Sequence, residues 1–129
     1  MRGRAFIVTG TVVLLMTSAI HASGLPMIDG WLQGLDPQQR AGLNLVWVAV
    51  AFDWLITAVL WGLAAWWLCR EWLITASVAA AIPLAMAVGI ISIEPSFFGG
   101  WLLLGSVVLF ATGAIIELRR EREHFDECE

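Results

Sequence analysis

The sequence has no lysine and no tyrosine, and only 14% of its 129 residues are charged. Its seven arginines form no basic patch interleaved with aromatic residues. Domains that bind nucleic acid usually carry such a patch, so we expect no nucleic-acid partner. Because soluble domains have about 25% charged residues, the shortage of charge also argues against an ordinary soluble domain.

Motifs of the common enzyme classes are missing as well. The chain has no nucleophile elbow, no HExxH and no phosphate-binding glycine loop. Gly99 and Gly100 open an apolar segment and follow no predicted strand. Of the two histidines only His21 lies near an apolar segment, so one chain cannot supply two intramembrane haem ligands. We therefore expect no enzymatic activity, no catalytic residue, no metal and no cofactor.

Hydrophobic residues, in contrast, make up 60% of the chain. A helix needs roughly 20 apolar residues to cross a bilayer, and inside lipid only a helix satisfies the backbone of such a segment. Short connections between consecutive helices favour antiparallel neighbours. The sequence predicts an all-α integral membrane protein, an antiparallel four-helix bundle within residues 1–118, with a charged tail at 119–129. The predicted helices are 5–22, 43–69, 72–93 and 97–118, with turns at Arg70–Glu71 and Glu94–Ser96.

The arginines predict the orientation of this bundle. With four spans, six arginines fall on one side of the membrane and only Arg40 falls on the other. Cytoplasmic loops are enriched in Arg and Lys, so both termini are expected in the cytoplasm and the loop 23–42 outside. The six are Arg2, Arg4, Arg70, Arg119, Arg120 and Arg122.

The first segment has an alternative interpretation. Its basic start, apolar middle and small residues at Ala19 and Ala22 are also typical of a cleavable signal peptide. Ile20 and His21 make the cleavage pattern imperfect, and the glycine spacing described next predicts that this segment packs in the bundle. We favour a retained helix.

Three segments carry a stripe of residues spaced by seven, a period that keeps one face of a helix towards a neighbour. Small residues in such a stripe let membrane helices approach closely. We expect the tryptophans of the second segment to pack over the small residues of the first or the fourth. The stripes are Gly3, Gly10, Thr17 and Gly24; Trp47, Trp54 and Trp61; and Gly99, Ser106 and Gly113. Pro83 predicts a kink in the third segment.

Asp53 is the one acid inside the second segment. A carboxylate at that depth is costly, so it is expected to face the bundle interior or a water-filled cavity. Thr57 lies one turn further on and could share a hydrogen bond with it. Two interpretations stay open: a site for a proton, a cation or a polar ligand, or a structural acid that holds helices in register.

His21 and Glu94 are predicted near the external ends of the first and third segments. With Asp53 and Asn44 they could line a vestibule open to the outside, where a histidine–carboxylate pair could relay protons or hold a metal weakly. Solvated interfacial side chains are the commoner explanation. In the tail, His124 and Cys128 are spaced like two metal ligands, but an acidic tail in solvent is the favoured interpretation.

The residues "TSAIHASG" (17–24), a polar loop, Arg40 and "LVW" (45–47) resemble a group of small four-span bacterial inner-membrane proteins of unknown function. The resemblance covers the first half of the chain. It implies a bacterial inner-membrane location and brings no activity with it.

Two function hypotheses follow. The first is a non-catalytic bundle in the lipid bilayer that forms a homo-oligomer or serves as an accessory subunit of a larger membrane-protein complex. The second is a small proton-coupled transporter or permeation unit that uses Asp53.

Overall fold

A computed structural model describes residues 2–126 of the chain, with side chains up to residue 120. The described chain is helical almost throughout, and four stretches are long and apolar enough to cross a membrane: Arg2–Ser23, Pro37–Trp67, Arg70–Ile93 and Phe98–Arg120. The elements are α1 (Arg2–Ser23), α2 (Leu25–Trp31), a 3-10 turn (Leu32–Gly34), α3 (Pro37–Trp67), α4 (Arg70–Ala79), α5 (Ala81–Ile93) and α6 (Phe98–Asp126).

The predicted loop at 23–42 is largely helical. It contains α2, and α3 begins at Pro37 instead of at residue 43. The Asp36 side chain accepts hydrogen bonds from the backbone nitrogens of Gln38 and Gln39 at 3.0 and 3.1 Å. Asp before Pro at the first helical position is a strong N-terminal signal. The predicted start of this helix lies too far along the chain, because hydropathy detects the apolar part of a helix and not the residue where the helix begins.

The turn between the second and third spans lies at Leu68 and Cys69, not at Arg70–Glu71. Leu68 ends α3 with a φ of 47°, and it is the one non-glycine residue with positive φ in the part of the chain that the structure describes. Its backbone N–H donates to the Ala64 carbonyl at 2.9 Å. Arg70 already belongs to α4, so the two charged residues open a helix instead of forming the turn.

The third span is interrupted at Ala80, one turn before Pro83. α4 ends at Ala79 and α5 begins at Ala81. Pro83 has no N–H to donate to the carbonyl four residues earlier, that of Ala79. Pro83 itself is fully buried. The two halves pack differently, because α4 contacts mainly α3 whereas α5 contacts mainly α6.

α1 is the most extensively packed helix, with α6 on one side and α3 on the other. Gly3 meets Glu117 and Gly113, and Gly10 meets Phe110 and Ser106, so the contacts run in opposite chain directions along α1 and α6. The same holds for α1 and α3, where Ser18 reaches Ala51 and His21 reaches Trp47. The core includes Ile7, Leu14, Trp61, Leu73, Leu103 and Phe110.

The small stripes of α1 and α6 pack against each other. A Cβ added at Gly10 would lie 2.8 Å from the Ser106 carbonyl oxygen, and one added at Gly113 would lie 2.9 Å from the Ile7 backbone nitrogen. Neither distance leaves room for a side chain. The expectation that the tryptophans pack over the small stripe of the first or the fourth segment does not hold at Gly10 and Gly113, where backbone meets backbone.

Candidate functional site

Asp53 lies on the exposed surface of α3, not in the bundle interior. The expected placement in the bundle interior is thus wrong, and the alternative, a water-filled cavity, stays a prediction. Asp53 follows Pro37 by 16 residues and precedes Trp67 by 14, which places it about 24 and 21 Å from the two helix ends at 1.5 Å per residue. Within residues 2–120 its carboxylate has no hydrogen bond and no ion pair. An acid at the centre of a span costs roughly 2.5–3.5 kcal/mol on insertion scales.

The helical period places Asp53 beside the buried face of α3 and not on it. Trp54 and Trp61 are 2% and 0% exposed and point into the core, and one residue turns a helix by about 100°. Asp53 therefore lies at the edge of the buried face, on the side that also carries Thr57 and Ala64. Those two side chains are 2% and 0% exposed.

Neighbouring helices cover this side of α3 at Thr57 but not at Asp53. Towards the cytoplasmic end predicted from the arginines, α4 packs on α3, and the Trp61 indole donates to the Ala76 carbonyl at 3.1 Å. Beyond the interruption at Ala80 the chain continues as α5, which packs on α6 and makes few contacts with α3. The side of α3 in question is thus exposed along its N-terminal half. We call this surface the open flank: Val46, Ala49, Asp53 and Ile56, all exposed.

Thr57 does not share a hydrogen bond with Asp53 within residues 2–120. It is buried one turn below, under the cover that Asp53 lacks. The predicted Asp–Thr pair is therefore not formed: Thr57 lies in the packed part of α3, and Asp53 lies on the open flank.

His21 is held between two indole rings of α3. Its ring stacks on Trp47 with centroids 3.8 Å apart and lies tilted against Trp54 at 4.8 Å. Its Nε2 is 3.2 Å from the Trp47 carbonyl oxygen, and the Trp47 indole donates to the His21 carbonyl at 2.9 Å. The half-buried imidazole thus joins α1 to α3, on the tryptophan face and not on the open flank.

The contact between α1 and α3 has two further parts. The Ser18 hydroxyl donates to the Ala51 carbonyl at 2.8 Å. Directly after α1 ends at Ser23, a Cβ on Gly24 would lie 3.2 Å from the Trp47 ring. Trp47 therefore packs on one member of the small stripe of α1, while Trp61 stacks on Phe110 of α6 at 4.3 Å.

Glu94 lies at the exposed end of α5, and its carboxylate accepts hydrogen bonds from the hydroxyl and the backbone nitrogen of Ser96. These hydrogen bonds, the hydroxyl foremost, lower the pKa of Glu94. No hydrogen bond or ion pair joins Asp53, His21 and Glu94 in the part of the chain whose side chains are described. The predicted vestibule is thus not assembled by direct contacts.

A polar cluster at the same end was missed by sequence reasoning. The Arg40 guanidinium makes a two-point ion pair with Asp29 of α2, and the Asn44 amide donates to the same carboxylate at 2.7 Å. These hydrogen bonds, chiefly that from Arg40, lower the pKa of Asp29 to about 2. Arg40 and Asn44 also border a depression of about 390 Å³ with Gln33, Leu35, Pro37 and Ala41. The spacing of Arg40 and Asn44 by one turn was the available signal.

The opposite end holds a buried acid that sequence reasoning also missed. Glu117 is 6% exposed, and it accepts a hydrogen bond from the Arg4 backbone nitrogen at 3.0 Å. Its second oxygen is 4.0 Å from Nη1 of Arg120. A carboxylate suits this place because the free N–H groups of a helix N-terminus carry partial positive charge. Gly113, one turn before Glu117 on the same stripe, was the signal in the sequence.

The remaining packing candidates are largely buried. Thr17 and Ser106 are 4% and 0% exposed, and their hydroxyls donate to carbonyls of their own helices. Gly99 is a correction, because the atoms nearest to an added Cβ belong to its own neighbour Phe97. Gly100 instead meets Ile90 and Ile91 of α5. At this end of α6 the glycine that meets a neighbouring helix is therefore Gly100, not Gly99.

Within the described residues no three His, Cys, Asp or Glu side chains lie close enough to hold a metal ion. Cys128 and the side chain of His124 lie outside the described part, so the pair in the tail is not covered by this finding. Comparison of the chain with protein-family models, with curated proteins and with solved structures gave no match. The resemblance to small bacterial membrane proteins remains a sequence-based expectation.

Proposed function

We propose that the protein is a non-catalytic subunit of a membrane-protein assembly. In this proposal the four spans form an antiparallel bundle in the bacterial inner membrane, α1 is retained, and both termini are cytoplasmic. The single observation that carries the proposal is the open flank of α3, where an acid without a partner in residues 2–120 stands among exposed apolar side chains at the centre of a span. A lipid-facing acid is satisfied when another helix covers it.

The distribution of charges supports the proposed orientation. Arg4, Glu117 and Arg120 gather at the end where α1 begins, and the Arg4 guanidinium lies 6.0 Å from the centroid of the Trp66 ring. At the other end Arg40 is paired with Asp29. Six of the seven arginines thus lie on the proposed cytoplasmic side and one, Arg40, on the proposed external side, which is the asymmetry that the orientation requires.

A role for α1 in the bundle supports its retention. Ile7 and Leu14 are fully buried, and α1 makes the largest helix–helix contact of the described chain, with α6. Intact-mass measurement of the purified protein tests this part. A mass that corresponds to loss of residues 1–22 would contradict it.

Transport through the bundle receives less support. Such a route would need polar side chains that connect Asp53 with the external side through the interior. Asp53 is instead exposed on the surface of α3, and the buried Thr11 and Thr17 donate to carbonyls of their own helix. Proton flux into liposomes by the wild type but not by Asp53→Asn would favour transport over assembly.

Native mass measurement tests the proposed assembly. The protein is released from its own membranes in polymer-bounded lipid discs, so that lateral contacts survive, and the mass of the particle's protein content is measured. We expect a species larger than the 14.1 kDa chain. A strictly monomeric species without a second protein would overturn the proposal.

A further inference from the structure

We propose that the open flank of α3 binds a membrane helix of a different protein, one that carries an arginine or lysine near the middle of its span. This inference rests on the proposed function and names the chemistry of the partner. It starts from Asp53, an acid that no described side chain of this chain satisfies.

The depth of Asp53 determines where the partner's basic residue must lie. Asn44 and Arg40 belong to the polar cluster at the external end, and Asp53 follows Asn44 by nine residues. Nine residues of helix span about 14 Å, close to half of the roughly 30 Å hydrocarbon thickness. A charge at that depth pairs with another charge or hydrogen-bonding group on a neighbouring helix.

A second copy of this chain does not supply the complement. All seven Lys or Arg side chains are arginines, and the one nearest along α3 is Arg40, 13 residues from Asp53, about 20 Å away. Arg40 is already paired with Asp29. His21 is engaged with Trp47 on another face of α3. Two copies related by a two-fold axis through the open flank would bring two carboxylates together and supply no basic side chain to either.

The shape of the open flank suits a helix. Val46, Ala49, Asp53 and Ile56 follow one another at the spacing of one helix face, and all are exposed. Ala49, one turn before Asp53, is small, so a neighbouring backbone can come close to the acid. The interruption at Ala80 directs α5 onto α6 and leaves this side of α3 free.

A synthetic partner tests the charge requirement directly. Three 24-residue Leu/Ala helices, with Arg, Leu or Glu at the central position, are reconstituted with the full-length protein in phosphatidylcholine vesicles, and their association is measured by energy transfer. We expect the Arg helix to associate at least tenfold more tightly than the Leu helix. Asp53→Asn should lose this preference, Asp53→Glu should retain it, and Phe52→Leu, an exposed neighbour, should leave it unchanged.

Equal association of the Arg and Leu helices with wild type, or a preference that survives Asp53→Asn, would overturn the inference. The vesicles require only a folded protein, so this result is independent of whether a natural assembly exists.

A photo-crosslinker at Ile56, with one at Val108 on the exposed face of α6 as the matched control, tests the natural partner. We expect the Ile56 crosslink to map to a different protein, within three residues of an intramembrane Arg or Lys, and to be lost in Asp53→Asn. Exchange of the two charges, Asp53→Lys with the partner's basic residue changed to Asp, should restore it. A crosslink only to a second copy, or one unaffected by Asp53→Asn, would contradict the inference while leaving the proposed assembly intact. An absence of any assembly in lipid discs would instead remove the proposed function.

Discussion

Two acids lie within predicted membrane segments of this chain, and their surroundings differ. Glu117 of α6 is 6% exposed and accepts a hydrogen bond from the N-terminus of α1. Asp53 of α3 is exposed and meets no polar partner in residues 2–120. One acid is satisfied within the chain, whereas the other has no hydrogen bond or ion pair within the described side chains. The role of an acid in an apolar helix therefore depends on its cover. An acid covered by a helix of the same chain can stabilise the fold, whereas an uncovered acid is available for an interface.

The largest expected effect comes from separating α1 from α6, which would remove the surroundings of Glu117. Gly113→Leu places a side chain where a Cβ alone would lie 2.9 Å from the Ile7 nitrogen. Overpacking of this kind costs about 1–3 kcal/mol or more, and here backbone must move. We expect loss of the folded state in detergent, measured by SDS-induced unfolding. Gly105→Leu, at an exposed glycine of α6 with no atom near an added Cβ, is the control and should unfold like wild type.

Removal of the buried acid should have the next largest effect. Glu117→Ala leaves the Arg4 N–H without its acceptor in a partly buried place, and hydrogen bonds to charged groups contribute about 1.5–3 kcal/mol. We expect a loss of that order in the free energy of unfolding, with Glu117→Gln intermediate. Glu71→Ala, at the exposed start of α4, should cost little. Similar stabilities for Glu117→Ala and Glu71→Ala would show that the carboxylate does not hold the two helices together.

Asp29 adds a third acid to this comparison: it forms an ion pair with Arg40 but lies outside the four candidate spans. Its pKa is lowered to about 2, chiefly by the Arg40 hydrogen bonds. A lowered pKa means that the ion pair stabilises the fold fully above the ordinary carboxyl pKa near 3.8 and loses that contribution as the pH falls towards 2. We expect carbon-13 NMR to give a titration midpoint near 2, and Arg40→Gln to raise it. Stability should not change through this pair between pH 5 and 8.

The smallest expected effect is that of Asp53 on the isolated protein. Asp53→Leu breaks no described contact, so the free energy of unfolding of the detergent-solubilised monomer should change by less than about 0.5 kcal/mol. Trp54→Ala, at the adjacent buried residue, should cost about 3–5 kcal/mol. A large loss of monomer stability in Asp53→Leu would mean that the acid serves the bundle itself.

Sequence reasoning predicted the four apolar spans because lipid solubility depends on composition over about 20 residues. The ends of the helices depended on single side chains instead. α3 begins earlier than predicted because Asp36 and Pro37 form its N-terminal cap. The turn before α4 also lies earlier than predicted, because Leu68 adopts a left-handed conformation. The spacing of small residues indicated where helices approach, yet Gly99 was wrong because Gly100 is the glycine that meets α5 there.

Asp53 and Glu117 show which features of this protein follow from its sequence and which depend on its tertiary structure. The sequence by itself determined an all-helical chain with four candidate spans, because every backbone group in an apolar segment must be satisfied within its own helix. Only the tertiary structure decided which acid is covered. The break at Ala80 sends α5 towards α6, and that long-range choice of partner leaves Asp53 open while the fit of Gly3 on Gly113 encloses Glu117.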